Sequence, residues 1–143
     1  MERPAIWLIS GAPGAGKSTV AEALCRSFPR AVHIPVDDIR GWVRSGFDVV
    51  LDDVVRESDI DQYTEHLGST RLRKVLLSPT LETVLARNAA PGRKDFDASV
   101  LEAECRSLHP LLLAENTPPQ GWTVVDSTTL DTGRTVDAIL RAV

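Results

Sequence analysis

The sequence predicts an α/β fold, a parallel sheet with helices on both faces, and three observations carry that prediction. Five strand-like runs alternate with helical segments along the 143 residues, an order that implies right-handed crossovers between parallel strands. The first run, Ala5 to Ile9, is apolar throughout, as expected for a central strand buried on both faces. It opens directly into a glycine-rich turn and then a helix-forming run. At this length the chain reads as one domain, able to bury its own core and too small for a second.

The elements follow in order. After the strand Ala5–Ile9, a helix is expected from Ser18 to Ser27, ending before Phe28-Pro29. Ala31 to Val36 reads as a second strand, with Pro35 marking an edge or an end. Asp37-Asp38 starts a short helix through Ile39 to Arg44, and Phe47 to Leu51 is a third strand. A polar helix should run from about Val54 to His66, closed by Gly68. Arg71 to Leu77 is a fourth strand, and Ser78-Pro79-Thr80 caps a helix from Leu81 to Asn88. Beyond the Pro/Gly loop 89–94, a helix from Asp97 to Leu108 should stop before Pro110. Trp122 to Val125 is the fifth strand, and Thr132 to Val143 the closing helix. No internal repeat, low-complexity tract or linker interrupts this order.

The turn after the first strand carries the most specific chemistry. Gly11, Gly16, Lys17 and Ser18 fill the G-x-x-x-x-G-K-[ST] phosphate-loop pattern within Gly11-Ala12-Pro13-Gly14-Ala15-Gly16-Lys17-Ser18-Thr19. Successive backbone N–H groups in such a loop turn inward around phosphates, and Gly11, Gly14 and Gly16 stand where a Cβ would obstruct the turn or the approaching anion. The helix that follows directs its positive dipole end at the same anion. Lys17 supplies a charge for the β/γ-phosphates, and the Ser18 hydroxyl is a ligand for Mg²⁺. These residues predict a nucleotide site.

Composition narrows the classes. The chain is 43% hydrophobic and 25% charged, the make-up of an ordinary globular protein. No signal-like segment precedes the first strand and no apolar run reaches a membrane span, so a cytoplasmic protein without membrane association is expected. Cys25 and Cys105 lack any C-x-x-C or Cys/His spacing and read as buried reduced thiols. A net charge of −4 argues against a general nucleic-acid binder, which carries a basic face.

Three further constellations are candidates. Asp37 and Asp38 end the second strand on the rim that the phosphate loop shares. Asp37 reads as a base that takes or orients an acceptor hydroxyl's proton opposite the γ-phosphate, whereas Asp38 reads as the next helix's N-cap. Val49-Val50-Leu51-Asp52-Asp53 is an apolar strand ending in carboxylates. Asp52 there holds Mg²⁺ through a water, or positions the attacking group, or caps the following helix. Arg87 and Arg93, with Lys94, surround the hinge-like 89–92. They either stack on a base and stabilise transferring phosphoryl oxygens or complement a helix dipole. His33, His66 and His109 have no recognisable partner in the sequence and read as structural or surface residues.

The phosphate loop, together with His33-Ile34-Pro35-Val36-Asp37-Asp38-Ile39-Arg40, Leu85-Ala86-Arg87-Asn88 with Arg93, and Val124-Val125-Asp126-Ser127-Thr128, resembles the small P-loop kinases. Within them it is most similar to the chloramphenicol-phosphotransferase-like and gluconate- or shikimate-kinase-like groups, often labelled AAA-type ATPase domains. The resemblance implies a P-loop NTPase fold, a three-layer α/β/α arrangement with a five-stranded parallel sheet and the phosphate-loop strand central. It implies Mg-ATP as donor and a small hydroxyl-bearing acceptor near Asp37. It also implies Arg87 packed on adenine, Arg93 reaching the phosphates from a lid, and the loop after Ser127-Thr128 bordering the base.

One departure concerns the acceptor side, where such kinases usually carry a helical insertion and this chain has only residues 39–48. Trp42, Arg40 and Arg44 are the side chains available there. A small acceptor, an open cleft, a homodimer partner that completes the site, or loss of acceptor phosphorylation would each fit. The readings that remain are a small-molecule kinase, a polynucleotide or nucleoside 5′-hydroxyl kinase, and a nucleotide-binding switch with slow hydrolysis and no acceptor.

Overall fold

The computed structural model describes residues 5–33, 39–64, 71–90 and 97–143, with the backbone alone described at residues 39–41. Five strands, β1 (Ala5–Ser10), β2 (Ala31–His33), β3 (Asp48–Asp52), β4 (Arg71–Leu77) and β5 (Trp122–Val125), form one parallel sheet in the order β2-β3-β1-β4-β5. The expected α/β class and five-stranded parallel sheet are both found. β1 is central, with Leu8 opposite Leu51 on one side and Lys74 on the other, and all six of its residues are buried.

The two-residue period of β1 builds two cores. Ala5, Trp7 and Ile9 join Val20, Ala21 and Leu24 of α1 (Lys17–Cys25) and Val136 and Ile139 of α6 (Thr132–Ala142). Ile6 and Leu8 face the opposite way, toward Ile60 of α3 (Ile60–Thr64), Val84 of α4 (Leu81–Ala89), and Cys105 and Leu112 of α5 (Ala98–Glu115). Alternating side chains thus need a helical layer on each face, which is why Ala5 to Ile9 has no polar position. Local signals start the helices: Thr80 Oγ1 accepts from Thr83 N, Asp97 from Ser99 N and Asp131 from Arg134 N, each occupying an amide that a helix's first turn cannot pair.

Two expectations fail, both through tertiary contacts. The helix expected to stop at Leu108 runs on through Pro110 to Glu115. A mid-helix proline costs about 3 kcal/mol. Beyond it lie Leu112, buried against β1's second core, and Asn116, fully buried with two long-range hydrogen bonds. Burying a leucine is worth about 1.5–3 kcal/mol and each bond about 0.5–1.5 kcal/mol, enough to offset the proline.

The polar helix expected from Val54 to His66 is also shorter. Residues 53–56 are not helical, Glu57–Asp59 forms a 3-10 turn, and α3 ends at Thr64; His66 and Gly68 lie outside the described residues. The backbone here is bonded elsewhere. Val55 N donates to Ser10 Oγ at 3.0 Å, while Val55 O accepts from Ser10 Oγ and Asn116 Nδ2, each at 2.8 Å. Glu57 N donates to Asn116 Oδ1 at 2.8 Å. Buried bonds of this kind outweigh the few tenths of a kcal/mol per residue that separate helix propensities.

α2 (Ile39–Arg44) forms where the sequence put it, and its Trp42 is taken up by a neighbouring aromatic ring. Trp42 packs edge-on against Phe47, ring centroids 5.2 Å apart, and the Arg30 guanidinium covers the other ring at 4.7 Å. Phe47 immediately precedes β3, and Asp48 N donates to Arg30 O, so this cluster sits at the amino ends of β2 and β3. The phosphate loop leaves the carboxyl end of β1, at the opposite end of the strands. Trp42, one of the few side chains the sequence left available on the acceptor side, therefore packs at the end of the sheet away from the phosphate loop. Among the described residues no helix is long and apolar enough to cross a membrane.

Candidate functional site

Residues 11–16 connect the buried end of β1 to the start of α1. Ala15 N donates to Ala12 O at 3.0 Å, closing the turn, and Ala12 and Ala15 are themselves buried. Gly14 and Gly16 have φ of 85° and 92°, left-handed values that cost an L side chain strain. Gly16 immediately precedes α1 and has no side chain to cap it, so the first-turn amides and the positive helix end remain for an anion. Lys17 Nζ donates to Ala12 O at 3.3 Å, which holds the ammonium across the mouth of the loop. A cavity of about 400 Å³ opens here, lined by Pro13, Gly14 and residues 16–19, by Asp52, Asp53 and Val54, and by Asn88.

Across this cavity Ser18 Oγ donates to Asp52 Oδ2 at 2.6 Å, joining residues 34 apart in sequence. The other carboxylate oxygen, Oδ1, pairs with His33 Nε2. Burial pushes the Asp52 carboxyl up, but the Ser18 and His33 hydrogen bonds and the attraction of His33 and Lys17 outweigh it, holding the group ionised below the usual aspartate value. The capping alternative for Asp52 is not found, since Arg56 is the residue that precedes the next turn of helix. Its neighbour Asp53 accepts from Val54 N and from the Tyr63 hydroxyl, both at 2.7 Å, and burial together with that carboxylate pushes the Tyr63 phenol up.

A second cavity, of about 300 Å³, shares Gly14, Gly16 and Thr19 with the first. Its far wall is Arg87, Ser127 and residues 130–132. Arg87 Nη2 donates to Ser127 O at 3.2 Å, so the guanidinium plane is held at the wall. The β5–α6 loop is tied to the start of α4 where Thr128 Oγ1 accepts from Thr80 N and donates to Asp126 Oδ1.

The structure therefore brings together Gly14, Gly16, Lys17, Ser18, Thr19, Asp52 and Arg87, all anticipated, around two adjoining cavities. Asp37, Asp38, Arg93 and Lys94 lie outside the described residues. His33, read as a structural or surface residue with no partner recognisable in the sequence, is paired with Asp52, which the neighbouring strand supplies two positions past the His33–Val50 register. Asn88 was not expected at the phosphate cavity, although its position beside Arg87 in the helix after β4 was a signal that could have found it. Ser10, ending β1, gave no sequence hint of its bonds to Val55. Among the described residues neither cysteine forms a disulfide; Cys105 is buried and Cys25 only partly so.

Among the described residues no group of three or more His, Cys, Asp or Glu side chains converges. A metal ion here would depend on Ser18, Asp52 and a ligand's own oxygens. That set of hard oxygen donors suits Mg²⁺, which keeps water and binds through one or two protein groups plus phosphates.

Solved structures of the same fold include the tunicamycin resistance protein of Deinococcus radiodurans, 17% identical with a TM-score of 0.66 over 97% of this chain and 95% of that one. The gluconokinase of Sinorhizobium meliloti 1021 is 17% identical with a TM-score of 0.68 over 99% and 93%. A deoxyadenosine kinase from M. mycoides is 14% identical with a TM-score of 0.58 over 95% and 96%. The fold is that of the P-loop kinases. No curated protein matches the sequence. The zeta toxin family model matches residues 1–75, from before β1 through the phosphate loop, Asp52 and most of β4, and the chain belongs to the zeta toxin family.

Proposed function

We propose that the chain is an ATP-dependent phosphotransferase that moves the γ-phosphate of Mg-ATP to a hydroxyl of a small molecule. The observation that carries this reading is the Ser18–Asp52 contact within the phosphate-loop cavity. It joins the loop's hydroxyl to a carboxylate held ionised, and the second cavity adjoins it where a nucleoside would continue from the phosphates. The fold shared with a gluconokinase and a deoxyadenosine kinase, which by name act on hydroxyl-bearing small molecules, supports the same class.

In this reading the backbone of residues 11–16 and Lys17 bind the β/γ-phosphates, and Arg87 borders the base. Ser18 and Asp52 would hold Mg²⁺. The Ser18 proton is donated to Asp52, which leaves oxygen lone pairs for a cation. When bound, the ion neutralises charge on the phosphate oxygens. Asp37 would accept the acceptor hydroxyl's proton as its oxygen attacks the γ-phosphorus and the bond to the β-phosphate oxygen breaks, leaving ADP. Arg93 would stabilise charge on the transferring oxygens. A nucleotide-binding switch without an acceptor is the second reading, favoured by one observation: α2 presents Trp42 to Phe47 rather than to the loop.

Labelled ATP with Mg²⁺ and a panel of sugars, antibiotics, nucleosides and 5′-hydroxyl oligonucleotides separates the two. Transfer to a small hydroxyl compound, falling about 10²-fold in Asp37→Asn with ATP affinity kept, is the expected result. Hydrolysis alone, with no acceptor labelled, favours the switch. Full transfer in a folded Asp37→Asn protein removes Asp37 as base.

A further inference from the structure

Asn88 lies in the last turn of α4, outside the phosphate-loop sequence and absent from the roles assigned above. Its side-chain Nδ2 donates to Pro13 O at 2.9 Å and to Cys105 Sγ at 3.2 Å. The Cys105 thiol, fully buried in α5, donates to the same Pro13 O at 3.4 Å. On the other side of the amide, Oδ1 stands 2.5 Å from where a Cβ on Gly14 would be. One side chain thus lies flat against the Pro13–Gly14 peptide, with two donors from two helices meeting at one carbonyl.

That peptide is planar and trans, so its C=O and N–H point in opposite directions. Fixing Pro13 O toward Asn88 and Cys105 also fixes the direction of the Gly14 N–H on the opposite edge, and Pro13, Gly14 and Asn88 all line the phosphate cavity. We propose that Asn88 is a positioning residue for the phosphate loop, setting the apex at Pro13–Gly14 in the form that receives the nucleotide's phosphates, with Cys105 as the second donor. Pre-set donors cost no reordering when an anion arrives. The proposal rests on the nucleotide-binding reading above.

The test measures ATP affinity by isothermal titration, alongside melting curves, for the wild type, Asn88→Asp, Asn88→Ala and Cys105→Ala. Asn88→Asp keeps the size but turns both donors into acceptors facing Pro13 O. Its dissociation constant for ATP should rise about 10-fold or more, and that of Asn88→Ala by a similar factor, the effect of a lost buried hydrogen bond of ~1.4 kcal/mol. Cys105→Ala retains the Asn88 bond and should show a smaller rise of about 2–5-fold. Lower melting temperatures with unchanged ATP affinity per folded molecule would make Asn88 purely structural and overturn the proposal. Should neither Asn88 variant fold, unchanged affinity in Cys105→Ala overturns it. A wild type that fails to bind ATP overturns the nucleotide reading itself, a result distinguishable from the first.

Discussion

Gly14 and Gly16 share nearly the same backbone angle, φ 85° and 92°, yet their surroundings differ, which separates two reasons for a glycine. A Cβ at Gly16 meets nothing within 4 Å, so Gly16→Ala should cost only the left-handed strain, about 1–2 kcal/mol. A Cβ at Gly14 would stand 2.5, 2.7 and 2.8 Å from Oδ1, Cγ and Nδ2 of Asn88. All three amide atoms are too close, so flipping the amide gives no relief and the side chain must leave Pro13 O. Overpacking adds about 1–3 kcal/mol, for a total of about 2–5 kcal/mol with the left-handed strain. Urea unfolding of both variants reads the difference as a shift of midpoint at constant slope. Made in an Asn88→Ala background, Gly14→Ala should fall back to the cost of Gly16→Ala, a coupling visible in a double-mutant cycle. Equal costs for the two single variants, or a Gly14 cost that persists without Asn88, would refute the steric account.

Lys17→Ala should abolish measurable ATP binding by titration while stability stays within about 0.5 kcal/mol, because the lysine is not a core residue; unchanged affinity would remove the premise of a nucleotide site. Asn116→Leu should cost about 1–3 kcal/mol in urea unfolding, since it strands the Glu57 N–H that Asn116 Oδ1 receives, and a cost near zero would mean that segment relaxes onto water. The Arg56 hydrogen bond, joined by its charge, lowers the Glu115 pKa against a smaller opposing effect of burial. A depressed carboxylate contributes stability that is fully present above its ordinary value, 4.5, and is lost as pH falls through the lowered folded value. Glu115→Gln should therefore destabilise by a constant amount at neutral pH and by progressively less in acid, and a deficit that grows on acidification would contradict the pairing.

Much of the sheet could be read from the sequence because β1 has to satisfy two cores at once, leaving no polar residue among Ala5 to Ile9. The phosphate loop was legible for a different reason: its backbone geometry admits few residue types, so the pattern carries its own context. What was not legible depends on pairs brought together by the fold. His33 meets Asp52 only because β2 and β3 are neighbours, and the sequence order does not state strand order. Pro110 ends helices in local reasoning, and only the distant partners of Leu112 and Asn116 explain why it does not end α5. The segment after Asp53 has helix-forming residues, but its backbone is claimed by Ser10 and Asn116. Trp42 was available to the acceptor side in the sequence, and only its packing on Phe47 shows where it goes.

α5 touches the site at two separated points. Cys105 meets the phosphate loop at Pro13, and Asn116, just past the end of the helix, grips the strand exit that carries Asp52 and Asp53. At 1.5 Å per residue the eleven residue steps from Cys105 to Asn116 span about 16 Å, so the helix acts as a gauge block setting the spacing between the loop's apex and the carboxylate segment. Pro110 falls inside that span, and a proline there removes one rung of the helix's hydrogen-bond ladder. The distance between the two halves of the cavity is therefore set partly by the helix turn that lacks this bond, on the far side of the sheet from α1. Substitutions around Pro110, none of them near a phosphate, can be expected to alter how well those halves match.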